Sequence, residues 1–299
     1  MERRASAFSK GRRRQSISEC ITEISVSDLL DLENSSINNV NHVSENAPMV
    51  WERMSNGYRI VDLKEERIIE AIKLIKNDFL KSEPMCCATH VKKDFVSAKS
   101  YLQLILRHMR DLESLCALKE GTGDLVGVLI GSNDETVDKY YNEIQLNQGL
   151  FLSKIINLRN CLFAKAGVTE LFGTGKFYQI NVLCVEMDHR NKGIGTALVR
   201  SCISRVNQLR IPGCVAAFSS AAAQTIGERL NFEKVTEISY RNFVTPHNNA
   251  KPFNHIPAGN FSISCMILVT NSPDEDKTAL NSNRESQSKS SAKVKRKKK

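Results

Sequence analysis

None of the nine cysteines stands at Cys-x-x-Cys spacing, which argues against a zinc ribbon or a thioredoxin-like redox site. Cys86 and Cys87 are adjacent, and Cys184 and Cys202 fall inside apolar runs. The set therefore reads as reduced, mostly buried thiols of a cytoplasmic protein rather than a disulfide frame. No apolar run is long enough to span a bilayer, and the first residues lack the apolar core of a signal peptide. His90 and His108 have no carboxylate or cysteine at ligand spacing, so no metal site is assigned. Sustained apolar periodicity is missing from residues 1–48, which are rich in Ser, Asn, Glu and Arg, and from the Ser-, Asn- and Lys-rich residues 271–299. Neither stretch can bury enough surface to offset its ordering entropy. The expected organisation is one folded domain over 57–270 between two disordered tails.

Basic character is missing from that domain as well. The formal charge is +9, but residues 1–14 hold six Lys or Arg against one Glu, and residues 293–299 hold six against none. What remains is 30 basic and 32 acidic residues. A basic stripe on the fold would suggest nucleic acid as substrate; a basic tail suggests an address or an electrostatic tether. Lys293–Lys299 is a candidate site for an importin, nucleic acid or an anionic surface, and extends the expected location from cytoplasm to nucleus. Arg3-Arg4-Ala5-Ser6 and Arg13-Arg14-Gln15-Ser16 resemble sites for basophilic kinases.

What is present is concentrated in 177–232. Tyr178–Val185 is an apolar segment that reads as a strand, and Thr196–Leu209 places Ala197, Leu198, Cys202, Ile203, Val206 and Leu209 at helical spacing. Between them lies Arg190-Asn191-Lys192-Gly193-Ile194-Gly195. The first N–H groups of a helix have no internal partner and carry partial positive charge, so this turn can hold a phosphate. Glycines at 193 and 195 let a ligand approach the backbone closely. A Rossmann fingerprint would need a small residue where Leu198 stands; a P-loop ending at Gly175-Lys176 would need glycine where Glu170 stands.

The remaining pattern, Arg/Gln-x-x-Gly-x-Gly/Ala after a strand, resembles that of the Gcn5-related N-acetyltransferases, whose members hold the pyrophosphate of acetyl coenzyme A on this turn. Downstream order agrees. Pro212-Gly213 breaks the chain, Cys214–Phe218 suits a buried strand, Ser219 or Ser220 can cap a helix through Arg229, and Leu230-Asn231-Phe232 precedes strands over 233–243 and 261–270. Asn231 replaces the family's usual Gly, and Asn tolerates the left-handed conformation of a helix C-cap. The resemblance implies the acyl-CoA N-acyltransferase fold, an α/β (α+β) arrangement with a mixed, mostly antiparallel, centrally splayed sheet flanked by helices.

Upstream, Lys64–Ser82 reads as an amphipathic helix with Ile68, Ile69, Ile72, Ile75 and Phe79 on one face. It runs into Asp78-Phe79-Leu80-Lys81-Ser82-Glu83-Pro84-Met85, and Pro84 disfavours helical geometry at Glu83. This octapeptide resembles the Phe-Phe-x-Asp-Glu-Pro-Leu motif of insect-type arylalkylamine N-acetyltransferases, in which the glutamate before the proline is the general base.

The implied activity is acetyl transfer from acetyl coenzyme A to a small primary amine, such as dopamine, tyramine, octopamine or serotonin, by direct attack in a ternary complex. An amine with a pKa of about 10 reaches the enzyme protonated, so a base is required. By resemblance Glu83 is that base. Leu183, Cys184 and Val185 supply backbone along the pantetheine arm and a donor for the acetyl oxygen, and Arg190, Asn191, Lys192, Gly193, Ile194, Gly195 and Thr196 hold the pyrophosphate. Many acetyltransferases carry a tyrosine acid where Gly227 stands here, and the arylalkylamine group has two serines where this chain has Ser219 and Ala223. Ser219 and Ser220 are thus candidates for thiolate protonation or amine positioning, alongside plain helix capping. His189 beside the turn reads as an exposed turn residue. Residues 132–176, too apolar for a loop, are expected to form helices lining an aromatic-friendly acceptor cavity or packing on the sheet. Acylation of a polyamine or protein lysine, and a weakened coenzyme-A-binding protein, are the alternatives.

Overall fold

The computed structural model describes residues 24–25, 47–109, 113–134, 149–172, 176–245 and 249–270. Expectations for most of 1–48, for 271–299 and for part of the 132–176 segment lie outside these residues.

Eight strands form one sheet. Their ranges are β1 Val50–Met54, β2 Tyr58–Asp62, β3 Leu115–Lys119, β4 Leu125–Asp134, β5 Phe177–Val185, β6 Gly213–Phe218, β7 Glu233–Ser239 and β8 Ser262–Val269. The spatial order is β1-β2-β3-β4-β5-β6-β8-β7, and every neighbouring pair is antiparallel except β5 with β6. That is the mixed, mostly antiparallel sheet expected.

Helices cover both faces. On one lie α1 (Ile68–Leu74), α2 (Pro84–Thr89), α3 (Phe95–Met109), α4 (Leu150–Ala166) and α5 (Val168–Phe172). On the other lie α6 (Ile194–Gln208) and α7 (Ala221–Arg229). Residues of β5 serve both cores, with the alternation shifting by one residue between Ile180 and Val182: Val182 and Cys184 pack in the core with α1, α3 and α4, while Ile180 and Leu183 pack in the core with α6. The β5–β6 link is a crossover through α6, as a parallel pair requires.

Three features depart from the sequence reading. The sheet already begins at Val50 of β1, ahead of the boundary expected at residue 57. Asp62 fastens that strand by accepting from Met49 N, from Trp51 Nε1 at 2.8 Å and from Arg205 at 2.6 Å, and Arg200 grips Glu52 with two bonds. Within the expected N-terminal tail, Ile24 is buried in the core and its carbonyl accepts from Lys76 Nζ at 2.7 Å. Finally, α1 begins after a 3₁₀ turn (Glu65–Arg67) and continues through a π-helical turn, Ile75–Phe79, and a last α turn, Leu80–Ser82. Such π turns recur at functional sites because they re-aim the residues that follow.

Candidate active site

The site lies where β5 and β6 part. Their pairing runs only over Tyr178–Ile180 against Cys214–Ala216. At this point β5 carries one extra residue: Ile130 faces Val182 and Gly131 faces Ile180, so Asn181 is a bulge. Gly131 is required there, since a Cβ would meet the Tyr178 ring at 2.4 Å. Beyond the bulge, the β6-facing edge of β5 has no partner strand. Val185 turns its carbonyl to that side, where Arg190 Nε donates to it at 2.9 Å, whereas Glu186 N donates back to Val126 O in β4. The alternation of an antiparallel strand then directs the Leu183 and Val185 N–H groups into the gap and that of Cys184 toward β4.

A cavity of about 620 Å³ fills the opening. Of the residues singled out from sequence, Glu83, Leu183, Cys184, Val185, Arg190, Asn191, Gly193, Ile194, Gly195, Thr196, Ser219 and Ser220 line it; Lys192 does not. Lys192 Nζ folds back on Asp188 O at 3.0 Å, and its carbonyl accepts from Asn56 Nδ2 at 2.9 Å.

The turn is built as a phosphate cradle. Asn191 (φ 60°) and Gly193 (φ 79°) are left-handed, a conformation that favours Asn and Gly. The Ala197 N–H bonds to Gly193 O, so the amides just before it have no acceptor within the helix. Gly195 has a packing reason too: a Cβ would stand 3.2 Å from Ile226 Cδ1 of α7. His189 is held rather than free, with Tyr58 Oη 2.9 Å from its Nδ1 and a Glu186 oxygen 3.6 Å from its Nε2.

Glu83 stands in extended conformation (φ −66°, ψ 129°), as Pro84 dictates, and caps α2 by accepting from Cys86 N through Oε2 at 2.6 Å. The residue is 6% exposed, and its Oε1 is buried with no hydrogen-bond partner. A buried unpaired carboxylate oxygen is costly, and it persists here at the wall of a cavity. Burial and the Glu83 charge push the Cys86 thiol well up, and burial raises Cys184 to about 12. Both remain protonated thiols, so neither is an activated nucleophile.

The two serines separate. Ser220 Oγ accepts from Ala223 N at 3.1 Å as the N-cap of α7. Ser219 is held by its carbonyl, which takes the Tyr240 hydroxyl at 2.6 Å. A Cβ at Gly227 would meet Phe218 Cε2 at 2.8 Å, so the space that a tyrosine would need is filled by that ring. Asn231 takes the left-handed C-cap position (φ 64°) expected of it.

Sequence reasoning missed several lining residues. Phe79 and Tyr101, both in the lining, form an edge-to-face pair with ring centroids 6.1 Å apart. From the 132–176 segment one described residue reaches the cavity, Arg159 of α4, while the buried face of α4 packs on the core, the second of the two expectations; the described aromatic side chains of the lining are Phe79, Tyr101 and Phe218. The available signal was a lone arginine among Ile155, Ile156, Leu158 and Leu162, on the apolar stripe of a helix. Nothing in the sequence marked the Asn181 bulge.

Comparison with known proteins follows this geometry. The family model for the acetyltransferase (GNAT) family matches residues 77–226. No curated protein sequence matches the chain. Among solved structures, the putative arylalkylamine N-acetyltransferase 7 of the yellow fever mosquito Aedes aegypti superimposes with a TM-score of 0.67 at 23% identity, covering 78% of this chain and 100% of that one. Arylalkylamine N-acetyltransferase 2 of Aedes aegypti gives 0.64 at 21%, covering 72% and 100%. The Drosophila melanogaster polyamine N-acetyltransferase gives 0.62 at 14%, covering 71% and 100%. These likenesses establish a shared fold, and the family match spans half of the chain with both the Glu83 segment and the phosphate turn inside it: the chain belongs to the GNAT acetyltransferase family.

Proposed function

We propose that this enzyme transfers the acetyl group of acetyl coenzyme A to a small primary amine with an aromatic body, by direct attack in a ternary complex. The observation that carries the reading is the buried, unpartnered Glu83 Oε1 in a cavity that Arg190, Gly193, Ile194, Gly195 and Thr196 of the turn also line.

The residues present fit the cosubstrate. The free amides ahead of Ala197, together with Arg190 and Arg229, would hold its phosphates, and the unpaired edge of β5 offers the Leu183 and Val185 N–H groups to an extended amide arm. When bound, acetyl coenzyme A supplies an activated thioester. Glu83 takes the proton that the ammonium must lose, through the Oε1 face not used in capping. The Val185 N–H, on the unpaired edge of β5, stabilises charge gathering on an acyl oxygen. Cys184 and Cys86, both protonated, provide no route through an acyl-enzyme. Ser219 remains the hydroxyl beside the departing thiolate, since Ser220 is spent on its cap.

Phe79, Tyr101 and Phe218 favour an aromatic acceptor such as dopamine, tyramine, octopamine or serotonin. A polyamine is the less favoured acceptor, because among the described lining residues Glu83 is the one carboxylate that could meet its several ammonium groups. The test is acetyl-CoA consumption with arylalkylamines, spermidine and a lysine-rich peptide. Turnover led by the arylalkylamines supports the reading; turnover led by spermidine or the peptide replaces it.

A further inference from the structure

We propose that the first turns of α3 and α4 together form a face that docks on an anionic lipid surface. None of the residues involved is among those lining the cavity, so the inference is independent of the acetyl-transfer reading.

The two turns are fused. Gly149, directly before α4, lies so close to α3 that a Cβ on it would stand 2.2 Å from Ser97 Oγ and 2.8 Å from Asp94 Oδ2. Ser97 Oγ accepts from Phe151 N at 3.2 Å and from Leu152 N at 3.1 Å, so a side chain of α3 caps α4. The same hydroxyl donates to Asp94 Oδ2, which also accepts from Ser97 N at 3.3 Å. Phe95 and Val96 on one helix are thereby held beside Leu150 and Phe151 on the other.

Apolar side chains gather at this junction although water reaches it. Phe95, Val96 and Leu150 are 38%, 46% and 68% exposed, and Phe151 is half-buried. Single exposed apolar residues need no explanation, whereas neighbours held together from two elements mark an interaction surface.

Four lysines flank them: Lys92 and Lys93 in the 3₁₀ turn before Asp94, Lys99 one turn into α3, and Lys154 one turn into α4. Lys99 Nζ lies 5.9 Å from the Phe95 ring centre, and Lys154 Nζ lies 4.8 Å from that of Phe151. Among the described residues none of the four forms an ion pair. Asp94, the one acid within 90–99 and 149–155, is engaged by Ser97. Charges from both helices converge on His90 at the end of α2. Its pKa is lowered by partial burial and then by the charges of Lys93, His255, Lys92 and Lys154.

Lysine stems lie along apolar surface while their ammonium groups stay in water, so one face meets an acyl layer and its anionic headgroups together. An acidic protein would meet the lysines but must also offer apolar surface of matching shape; a bilayer supplies both layers at any register. A second copy of the chain fits poorly, because a two-fold contact would set the lysines of one copy against those of the other. The ends of the chain suit the same partner. Residues 1–14 and 293–299 each hold six Lys or Arg, and a shallow apolar anchor joined to polybasic segments gives the two signals that stable anchoring takes.

The experiment is co-sedimentation of the full chain with phosphatidylcholine–phosphatidylserine vesicles and with phosphatidylcholine alone. The wild type is expected to bind the mixed vesicles at least about tenfold more strongly than the neutral ones. Phe95→Ser combined with Leu150→Ser should lose about tenfold or more of that binding, as two apolar side chains leave the lipid. Lys92→Glu, Lys93→Glu and Lys154→Glu together should lose at least as much. Both variants keep the basic ends, so their losses report on this face alone, and melting temperatures near that of the wild type certify the fold. Should the serine variant fail to fold, Phe95→Trp decides: its added fluorescence is quenched by lipid brominated in the acyl chain, and absence of quenching overturns the inference. Equal binding by the wild type and the serine variant, or no binding of the wild type to mixed vesicles, also overturns it. Vesicles left unbound, with a dimer or polyglutamate binding abolished in the serine variant, assign the face to protein and overturn the lipid assignment.

Discussion

Arg190 Nη2 donates to Ser82 Oγ at 2.9 Å, joining the cofactor turn to the residue directly before Glu83. Ser82 Oγ in turn donates to Asp78 O at 2.7 Å, and Asp78 Oδ1 accepts from Met187 N at 3.1 Å. Two segments more than 100 residues apart are thus laced together at two points, one within the π-helical turn and one just after it. Because Arg190 also holds Val185 O, one side chain links the residue before Glu83, the end of β5 and the Arg190–Thr196 turn.

This lacing makes Ser82→Ala and Arg190→Ala non-additive. Each alone should lower kcat/KM, and the double variant should lose less than the product of the two effects, with a coupling of about 0.5–3 kcal/mol. Steady-state kinetics on the four proteins checks it. Strict additivity would mean that the bond carries no load in the reaction.

The proposed function gives Glu83 a proton-accepting role that is separable from the cap it makes on α2. Glu83→Gln keeps an oxygen for the Cys86 N–H but cannot take a proton, so turnover should fall by about 10²–10⁴-fold with the melting temperature little changed. Glu83→Ala should show the same kinetic loss and, in addition, about 0.5–2 kcal/mol less stability from the lost cap. Thermal melts beside the kinetics separate the two.

Gly227 is held to glycine by packing. Gly227→Ala pushes a methyl into Phe218 and Met266 and should cost about 1–3 kcal/mol. Gly227→Tyr should destabilise further without raising activity. Gain of activity in the tyrosine variant would show that an acid can be seated there after all.

His108 makes stability fall in acid. Its folded pKa, near 3, lies below the ordinary value of 6.5. Between those limits the unfolded chain binds the proton and the folded one does not. Stability from this group is therefore full above 6.5 and declines as pH drops through the window, by about 1.4 kcal/mol per unit. Unfolding curves at pH 7, 6 and 5 should show that slope, and His108→Gln should reduce it.

Ile24 marks how far the N-terminal segment belongs to the domain. Ile24→Ala should cost about 2–5 kcal/mol, the range for emptying a buried aliphatic site. A chain starting at residue 47 should lose comparable stability, whereas removal of 271–299 should not. Equal melting temperatures for all these forms would contradict the anchoring role of Ile24.

The fold, and the backbone conformations at several candidate site residues, were legible because they rest on local chemistry. Pro84 sets the backbone of Glu83, Gly193 permits the left-handed turn, and the spacing from Ile194 to Val206 fixes which face of α6 is buried. The rest depends on register and distant contacts. The Asn181 bulge exists only against Ile130 and Gly131, and Arg159 joins the cavity only once α4 is packed. Ser220 was weighed as a capping or reacting group, and the bond from Ala223 N decides for capping. Lys192 had the right place in the motif, but its side chain found Asp188 O.

The most direct measurement is release of free thiol from acetyl coenzyme A in the presence of an aromatic primary amine, by the wild type and by Glu83→Gln. The account predicts amine-dependent release by the wild type and a loss of at least about a hundredfold in the variant, with coenzyme A binding unchanged. Equal release by the two proteins would remove Glu83 from the chemistry and contradict the account at its centre.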